Sequence, residues 1–351
     1  MPLRKPWCVH MAWYSMKSDR SGSLAVSDGG YRLQALRRGS LFPKDPFSCR
    51  IHSVFSHAIN LEVSDAPLLY TLVTNEQLTH PLTSLISAVD DRSLDSSGIE
   101  QGQSGYFDGT LLQLGPSLMV DFTSVQEVRS RDEELPTLCL TAVELKERHD
   151  FAGLALERYQ RQKNTELYWD AHRGIPCYQP SGSGEPWPAF SEAAQALLQA
   201  LSEEKPMEAL TASLNLVGCG QGLTPSGDDF LCGFALALLM ISANRSYGSV
   251  ISEISFDTWL WGLAWELGFG REPLTQVQPR ERTSRVSLSF LYLATHKKFS
   301  SLLLQLGRAF SADSAAWLSM LALLGAYGHS SGLDSATGFL YGMTVVERRR
   351  K

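Results

Sequence analysis

The sequence lacks the features that mark membrane, disulfide-rich and nucleic-acid-binding proteins. No apolar run reaches the about 18 residues that suggest a membrane span. The six cysteines are scattered, without a CxxC pair or a spacing typical of zinc. The net charge of −6 argues against a general nucleic-acid binder, which needs a basic stripe. We therefore expect reduced cysteines and neither membrane nor nucleic acid as a partner.

The amino terminus also lacks the apolar core of a signal peptide, although Arg4 and Lys5 are basic. We therefore expect a cytoplasmic protein. What the chain does have is a 44% apolar composition over 351 residues, which is enough for two domains with real cores.

The first half of the chain has the pattern of a β protein. Short alternating segments between about residues 20 and 130 are separated by turns such as Asp28-Gly29-Gly30 and Asp108-Gly109. The predicted strands are Gly22–Val26, Tyr31–Leu36, Ile51–Val63, Leu68–Val73, Tyr106–Leu114 and Leu118–Phe122. This half predicts a small β-sandwich or barrel.

The second half has a helical pattern. A connecting helix is predicted over Thr141–Gln162, and residues 178–188 are rich in Pro, Gly and Ser, like a linker. Further helices are predicted at Phe190–Ser202, Pro206–Leu214, Asp228–Ser242, Ser255–Gly268, Ser284–Thr295, Phe299–Phe310, Ala315–Tyr327 and Leu333–Glu347. The expected fold class is α+β, with a β-rich domain at 1–140, a connecting helix and linker at 141–185, and an all-α domain at 186–351.

The most unusual stretch is GCGQGLTPSGDDFLCGFALALLM, residues 218–240. Gly218, Gly220 and Gly222 allow positive φ and close approach of a ligand to the main chain, and the helix that follows offers its amino terminus to an anion. Asp228 and Asp229 would repel a bare phosphate. We therefore expect them to cap the helix, hold a cation or handle a proton.

Two helix caps are possible in this stretch. Thr224 precedes Pro225, which suits the first helical position, and Ser226 precedes Asp229 with capping-box spacing. Consecutive helical residues point about 100° apart, so only one aspartate can serve the cap. We predict that Asp229 is the cap and that Asp228 faces a ligand. The stretch matches neither a Walker nor a Rossmann pattern.

A second segment echoes the first. Ser226-Gly227-x-Asp229-x-x-x-Gly233 has the same spacing as Ser331-Gly332-x-Asp334-x-x-x-Gly338. If the repeat is genuine, Asp229 and Asp334 are equivalent carboxylates at one pocket, and the later glycines let the helices approach closely. His329 stands beside the second copy and is a candidate acid or base.

Hydroxyl and guanidinium groups gather at another predicted helix start. Thr283 and Ser287 lie one helical turn apart, with Arg280, Arg282 and Arg285 around them. These groups suit a carboxylate or a phosphate. A plain capped helix with surface arginines is the open alternative.

These motifs resemble the AllH-like family. The resemblance rests on GxGxGLTPSGDDxLxG from Gly218 to Gly233, on the Thr/Ser-rich helix start, and on the Gly-His-x-Ser-Gly-x-Asp turn from Gly328 to Asp334. It implies a subunit of oxamate carbamoyltransferase, which converts oxalurate and phosphate into oxamate and carbamoyl phosphate with other subunits in anaerobic allantoin degradation. The resemblance implies no residue roles, so the candidate roles rest on the chemistry of the residues themselves.

We consider three functions. The first is a carbamoyltransferase subunit that binds phosphate, carbamoyl phosphate or an oxamate-like acid, with Asp228, Asp229, His329 and Asp334 as catalytic candidates and Mg²⁺ or Mn²⁺ possible on Asp228 and Asp229. The candidate binding residues are Gly218, Gly220, Gly222, Thr224, Ser226, Gly227, Thr283, Arg285, Ser287, Ser330, Ser331 and Gly332. The second is a metal-dependent hydrolase using Asp228, Asp229 and Asp334. The third is a non-catalytic binding or scaffold subunit whose glycines serve helix packing and partner docking.

Overall fold

The computed structural model describes residues 31–64, 66–88, 93–180, 188–244, 251–269, 282–326 and 330–348. Within these ranges a β-rich amino-terminal part precedes a helical carboxy-terminal part. The predicted α+β class with an all-α second part is therefore confirmed. The domain limits at residues 140 and 185 stay a prediction.

The amino-terminal part is a sheet that closes on itself. Its strands are β1 (Tyr31–Arg38), β2 (Phe47–Phe55), β3 (Ala58–Val63), β4 (Leu69–Val73), β5 (Thr83–Ile86), β6 (Ser104–Phe107), β7 (Leu111–Leu114), β8 (Leu118–Asp121) and β9 (Gln126–Glu127). They lie in the order β5-β4-β3-β2-β6-β7-β8-β1-β9, and β5 also pairs with β1. That extra pairing makes a barrel, one of the two predicted forms.

Two predicted strands are in fact hairpins. The segment Ile51–Val63 divides into antiparallel β2 and β3, and Tyr106–Leu114 divides into β6 and β7. Gly109 turns the second hairpin with φ +106, and the Asp108 carboxylate accepts the Leu111 N–H at 2.8 Å. The short strands β5 and β9 were not predicted, and Gly22–Val26 lies outside the described residues.

The helical part contains every predicted helix, with the last one divided in two. Its helices are α1 (Ala142–Lys163), α2 (Pro188–Ser202), α3 (Pro206–Leu216), α4 (Ser226–Ser242), α5 (Glu253–Glu266), α6 (Arg285–Thr295), α7 (Ser301–Ala312), α8 (Ser314–Leu324), α9 (Ser331–Met343) and α10 (Val345–Arg348). Thr141 and Glu144 form a capping box that starts α1. Among the described helices, none combines the length and apolarity needed to cross a membrane.

The predicted connector contains an unpredicted hairpin. Strands β10 (Leu167–Asp170) and β11 (Ile175–Tyr178) pair antiparallel, and Gly174 makes the turn with φ +62. Gln160 of α1 accepts the Trp169 N–H at 2.8 Å and donates to the Leu167 carbonyl at 3.1 Å. The hairpin was missed because its strands are four residues long and one contains a proline.

Helices α4 and α9 form the centre of the helical part. Helix α4 is buried from Ser226 to Ile241, which explains its almost uniformly apolar sequence. A Cβ atom on Gly233 would lie 1.9 Å from the Ser335 carbonyl oxygen, and one on Gly338 would lie 1.9 Å from that of Phe230. The contacts are reciprocal because Gly233 corresponds to Gly338, and Phe230 to Ser335, in the sequence echo. The two copies of the echo are therefore the starts of two helices, α4 and α9, which cross at Gly233 and Gly338.

Candidate functional site

The glycine-rich loop joins α3 to α4. Gly218, Gly220 and Gly222 have φ values of +74, +115 and +94, the conformations for which glycine was expected. A Cβ atom would lie 2.4 Å from the Arg282 carbonyl oxygen at Gly218 and 2.7 Å from the Ser226 nitrogen at Gly220. Gly218 therefore allows the loop to pack closely against the residues before α6, and Gly220 allows it to pack against the start of α4.

Helix α4 begins without a side-chain cap. It starts at Ser226 directly after Pro225, whose carbonyl oxygen accepts the N–H groups of Asp228 at 3.0 Å and Asp229 at 3.3 Å. Both capping predictions, from Thr224 and from Ser226 with Asp229, are wrong. A side-chain cap would take the N–H groups of Gly227 and Asp228. These groups donate instead to the Cys219 carbonyl at 2.8 Å and to the Pro225 carbonyl at 3.0 Å.

Asp228 holds the glycine loop against the start of α6. Its carboxylate accepts the Gly218 N–H at 2.9 Å and the Thr283 hydroxyl, and the side chain is 1% exposed. Burial raises the pKa of Asp228, while the hydrogen bonds from Thr283 and Gly218 and the nearby Ser287 hydroxyl lower it in part. Asp228 thus connects three segments of the chain, whereas the sequence predicted that it faces a ligand.

We expect Asp228→Ala to lower the free energy of unfolding by about 1–3 kcal/mol, because it leaves the Gly218 N–H and the Thr283 hydroxyl unpaired in a buried place. Thr283→Val, which removes one of these hydrogen bonds, should lower it by less. Urea unfolding of the three proteins measures both effects. Equal stability of Asp228→Ala and wild type would contradict this structural role.

Arg285 does not reach toward the aspartates. Its guanidinium pairs with Glu62 of β3 and donates to the Pro67 carbonyl at 3.4 Å. The predicted use of Arg285 for a ligand carboxylate is therefore not supported by its position. Ser284 caps α6 by accepting the Ser287 N–H at 3.0 Å, as in the plain-helix alternative. Arg280, Gly328 and His329 lie outside the described residues.

Asp229 and Asp334 form a buried carboxyl pair, with 6% and 0% of their surfaces exposed. Burial raises the pKa of Asp229 well above its usual range, and Asp334 raises it further. Burial also raises the pKa of Asp334, to about 7. The Ser331 hydroxyl lowers the pKa of Asp229 in part, and the Ser226 hydroxyl does the same for Asp334. Each carboxyl group thus meets a serine from the other copy of the repeat.

The pair has unused hydrogen-bonding capacity. Within the described ranges, Oδ2 of Asp229 and both carboxyl oxygens of Asp334 are buried without a partner in hydrogen-bond geometry. Thr224 lies near Asp229 and Ser330 near Asp334, and their hydroxyls act to lower the two pKa values. Buried polar atoms normally have partners, so the unpaired carboxyl oxygens make Asp229 and Asp334 candidates for a functional role.

Asp229 lines a cavity of about 350 Å³ between the barrel and the helices. Much of the wall is apolar, including Leu69, Val73, Leu78, Val286, Phe290 and Leu303. Thr224, Asp229, Ser331 and Gly332 contribute polar groups from the helical side. Neither Asp228 nor the three loop glycines are among the described residues that line this cavity, and the same holds for Thr283, Arg285 and Ser287.

The barrel supplies a cavity wall that no motif predicted. Asn60, Thr71 and His80 lie there, and the Thr71 hydroxyl donates to the Asn60 side chain at 2.8 Å. Nδ1 of His80 accepts the Leu82 N–H at 3.3 Å, and burial lowers the pKa of His80 to about 3. His80 is therefore neutral at physiological pH. The available signal was the polar side chains of Asn60 and Thr71 in strands that are mostly apolar.

The aspartates do not assemble the predicted metal site. Over the described ranges, no group of three or more His, Cys, Asp and Glu side chains is placed to hold a metal ion. The carboxylate of Asp228 already accepts two hydrogen bonds from the protein. The ligand set Asp228, Asp229 and Asp334, on which the hydrolase alternative depends, is therefore not supported.

Comparison with known families identifies both halves of the chain. A model described as the AllH family N-terminal domain matches residues 25–127, and one described as oxamate carbamoyltransferase subunit AllH matches residues 216–343. The chain belongs to the AllH family. No solved structure gives a significant match. Membership of the AllH family supports a role as a subunit of a carbamoyltransferase-type complex.

The AllH-family matches also bear on the cavity. Its barrel wall, with Asn60, Thr71 and His80, comes from the first matched segment, and its helical wall, with Thr224, Asp229 and Ser331, comes from the second. The cavity is thus formed where the two family segments meet.

Proposed function

We propose that this AllH-family chain binds a small anionic ligand of a carbamoyltransferase-type complex in the cavity beside Asp229. Carbamoyl phosphate, phosphate and an oxamate-like acid are the proposed ligands, and other subunits of the complex are the proposed partners. The observation that carries the proposal is that the two family segments supply opposite walls of one cavity, which Asp229 lines.

The start of α9 suits the anionic end of such a ligand. Ser331 and Gly332 belong to its first turn and line the cavity. A helix amino terminus carries partial positive charge and favours phosphate or carboxylate groups. Hydroxyl groups of Ser289 and Ser300 line the same cavity and can donate further hydrogen bonds.

Filling the cavity tests the proposal. Ala58 lies in the barrel wall at the start of β3 and is partly exposed, so Ala58→Trp should occupy the ligand space while the fold is kept. We expect the affinity for carbamoyl phosphate to fall by about tenfold or more, which corresponds to about 1.4 kcal/mol. Isothermal titration of the full chain measures the affinity.

Ala315→Trp is the matched control, because Ala315 lies on the exposed side of α8, away from the cavity wall. It should bind carbamoyl phosphate like the wild type. Failure of the wild-type chain to bind carbamoyl phosphate, phosphate or oxamate would favour the non-catalytic scaffold role. That role has its own support, because Gly233 and Gly338 do serve close helix packing.

A further inference from the structure

The cavity beside Asp229 is larger than the small acids proposed for it. Its volume is about 350 Å³, more than twice the roughly 150 Å³ of an engineered apolar cavity that binds benzene. Oxamate has as many non-hydrogen atoms as benzene, so oxamate alone would leave a large part of this space unfilled. The remaining space is available to a further group on the ligand.

One continuous part of the cavity wall is apolar. Leu69 and Val73 reach it from β4, and Val286 and Phe290, one helical turn apart, reach it from α6. The Leu69 N–H donates to the Ser289 hydroxyl at 3.1 Å, which holds β4 and α6 side by side. Apolar side chains in contact with water are unfavourable, so an apolar ligand group that covers them gains free energy. We call this part of the wall the β4–α6 face.

The polar side chains on the barrel side of the cavity are already engaged with the protein. The Thr71 hydroxyl donates to Asn60 at 2.8 Å, and Nδ2 of Asn60 donates to the Ser53 hydroxyl at 2.9 Å. Oε1 of Gln77 accepts a hydrogen bond from Gln305 at 2.8 Å. None of the described lining residues is Lys or Arg, so a second ionised group on the ligand would lie here without a counter-charge. The barrel side therefore suits an uncharged, apolar group.

We propose that the acid bound in this cavity carries an apolar substituent of several carbon atoms, which packs against the β4–α6 face. Its anionic end lies at the start of α9, where the proposed function places it. The substrate class is then a small carboxylic acid with an aliphatic or aromatic body, rather than oxamate itself. This inference rests on the proposed function, because it specifies the acid that the same cavity binds.

A series of N-alkyl oxamates tests the inference. Oxamate, N-methyl oxamate, N-propyl oxamate and N-butyl oxamate share one anionic end and differ only in the apolar substituent. We expect the wild-type full-length chain to bind more tightly by about fourfold for each added CH₂, the usual gain from burying that group. Isothermal titration measures the four affinities. Equal affinities for oxamate and N-butyl oxamate would overturn the inference and leave the proposed function in place.

Two ligands of matched shape separate apolar contact from mere size. N-isopentyl oxamate and N-carboxyethyl oxamate have substituents of the same branching, but the second ends in a carboxylate. We expect the isopentyl compound to bind about tenfold or more tightly than the carboxyethyl compound, because a buried carboxylate without a counter-charge is costly. Tighter binding of the carboxyethyl compound would contradict the inference, because it would indicate a second anion site.

Val286→Phe tests where the substituent lies. Val286 is partly exposed in the first turn of α6, so a larger side chain there narrows the β4–α6 face while the fold is kept. We expect the affinity for N-butyl oxamate to fall by about tenfold or more and that for oxamate to change by less than about threefold. Val143→Phe is the matched control, because Val143 of α1 is 68% exposed and is not a described lining residue.

The remaining outcomes distinguish failure of the inference from failure of the proposed function. If Val286→Phe folds, as its melting temperature shows, and weakens oxamate and N-butyl oxamate equally, the substituent does not lie on the β4–α6 face. If wild type binds oxamate and carbamoyl phosphate but excludes N-butyl oxamate, another part of the chain or another subunit fills the apolar space, and only the inference fails. If wild type binds none of the probes, the proposed function fails as well.

Discussion

Gly233→Ala is expected to lower the free energy of unfolding by about 3 kcal/mol or more, at the upper end of the usual effect of overpacking a core. The added methyl group would lie 1.9 Å from the Ser335 carbonyl oxygen, and backbone atoms cannot swing aside as a flexible side chain can. Gly338→Ala should have an effect of similar size, since its methyl group meets the Phe230 carbonyl oxygen at the same distance. Chemical denaturation followed by circular dichroism measures both changes.

Gly262→Ala is the matched control for these two variants. Gly262 also lies within a helix, but the nearest atom to its added methyl group is a Leu210 side-chain carbon at 3.0 Å, which can move. Alanine is intrinsically favoured over glycine in helices by about 1 kcal/mol, so the net change should stay within about 1 kcal/mol. A large loss for one of Gly233→Ala and Gly338→Ala without the other would contradict the reciprocal crossing of α4 and α9.

Asp334→Asn is expected to stabilise the protein at and above neutral pH. The pKa of Asp334 is about 7 in the folded chain, against about 3.9 in an unfolded one, so the folded state binds more protons between these values. The unfolding free energy therefore falls as the pH rises from about 4 to about 7 and stays reduced above that. Removing the group should raise the unfolding free energy at about pH 8 by roughly 1–4 kcal/mol and change it little near pH 4.

Urea unfolding of wild type and Asp334→Asn, from about pH 5 to about pH 8, measures the difference and its sign. Asp45→Asn removes an exposed carboxylate and serves as the control, with a profile parallel to that of wild type. A lower stability of Asp334→Asn at about pH 8 would mean that the helix amino termini stabilise the ionised form. The expected result would identify Asp334 as a group that reduces stability, as functional groups often do.

The fold class, the conformation of the glycine-rich loop and the family were all predictable from the sequence. The change from alternating to helical periodicity predicted the α+β class. The glycine-rich sequence of residues 218–233 predicted positive φ at Gly218, Gly220 and Gly222. The echo between Gly233 and Gly338 predicted two closely packed helices. The periodicity and the loop conformation depend on residues close together in the chain, on which steric preference acts directly.

Tertiary packing sets which of the two adjacent aspartates faces the cavity. Asp228 and Asp229 are adjacent in the sequence, but their side chains leave α4 about 100° apart. The start of α6 packs where Asp228 points and supplies the Thr283 hydroxyl, whereas α9 and the cavity lie where Asp229 points. Asn60 and His80 of the barrel are distant from Asp229 in the sequence, and only folding brings them to the same cavity. The role of each carboxyl group is set by segments distant in the chain, and no local pattern encodes their positions.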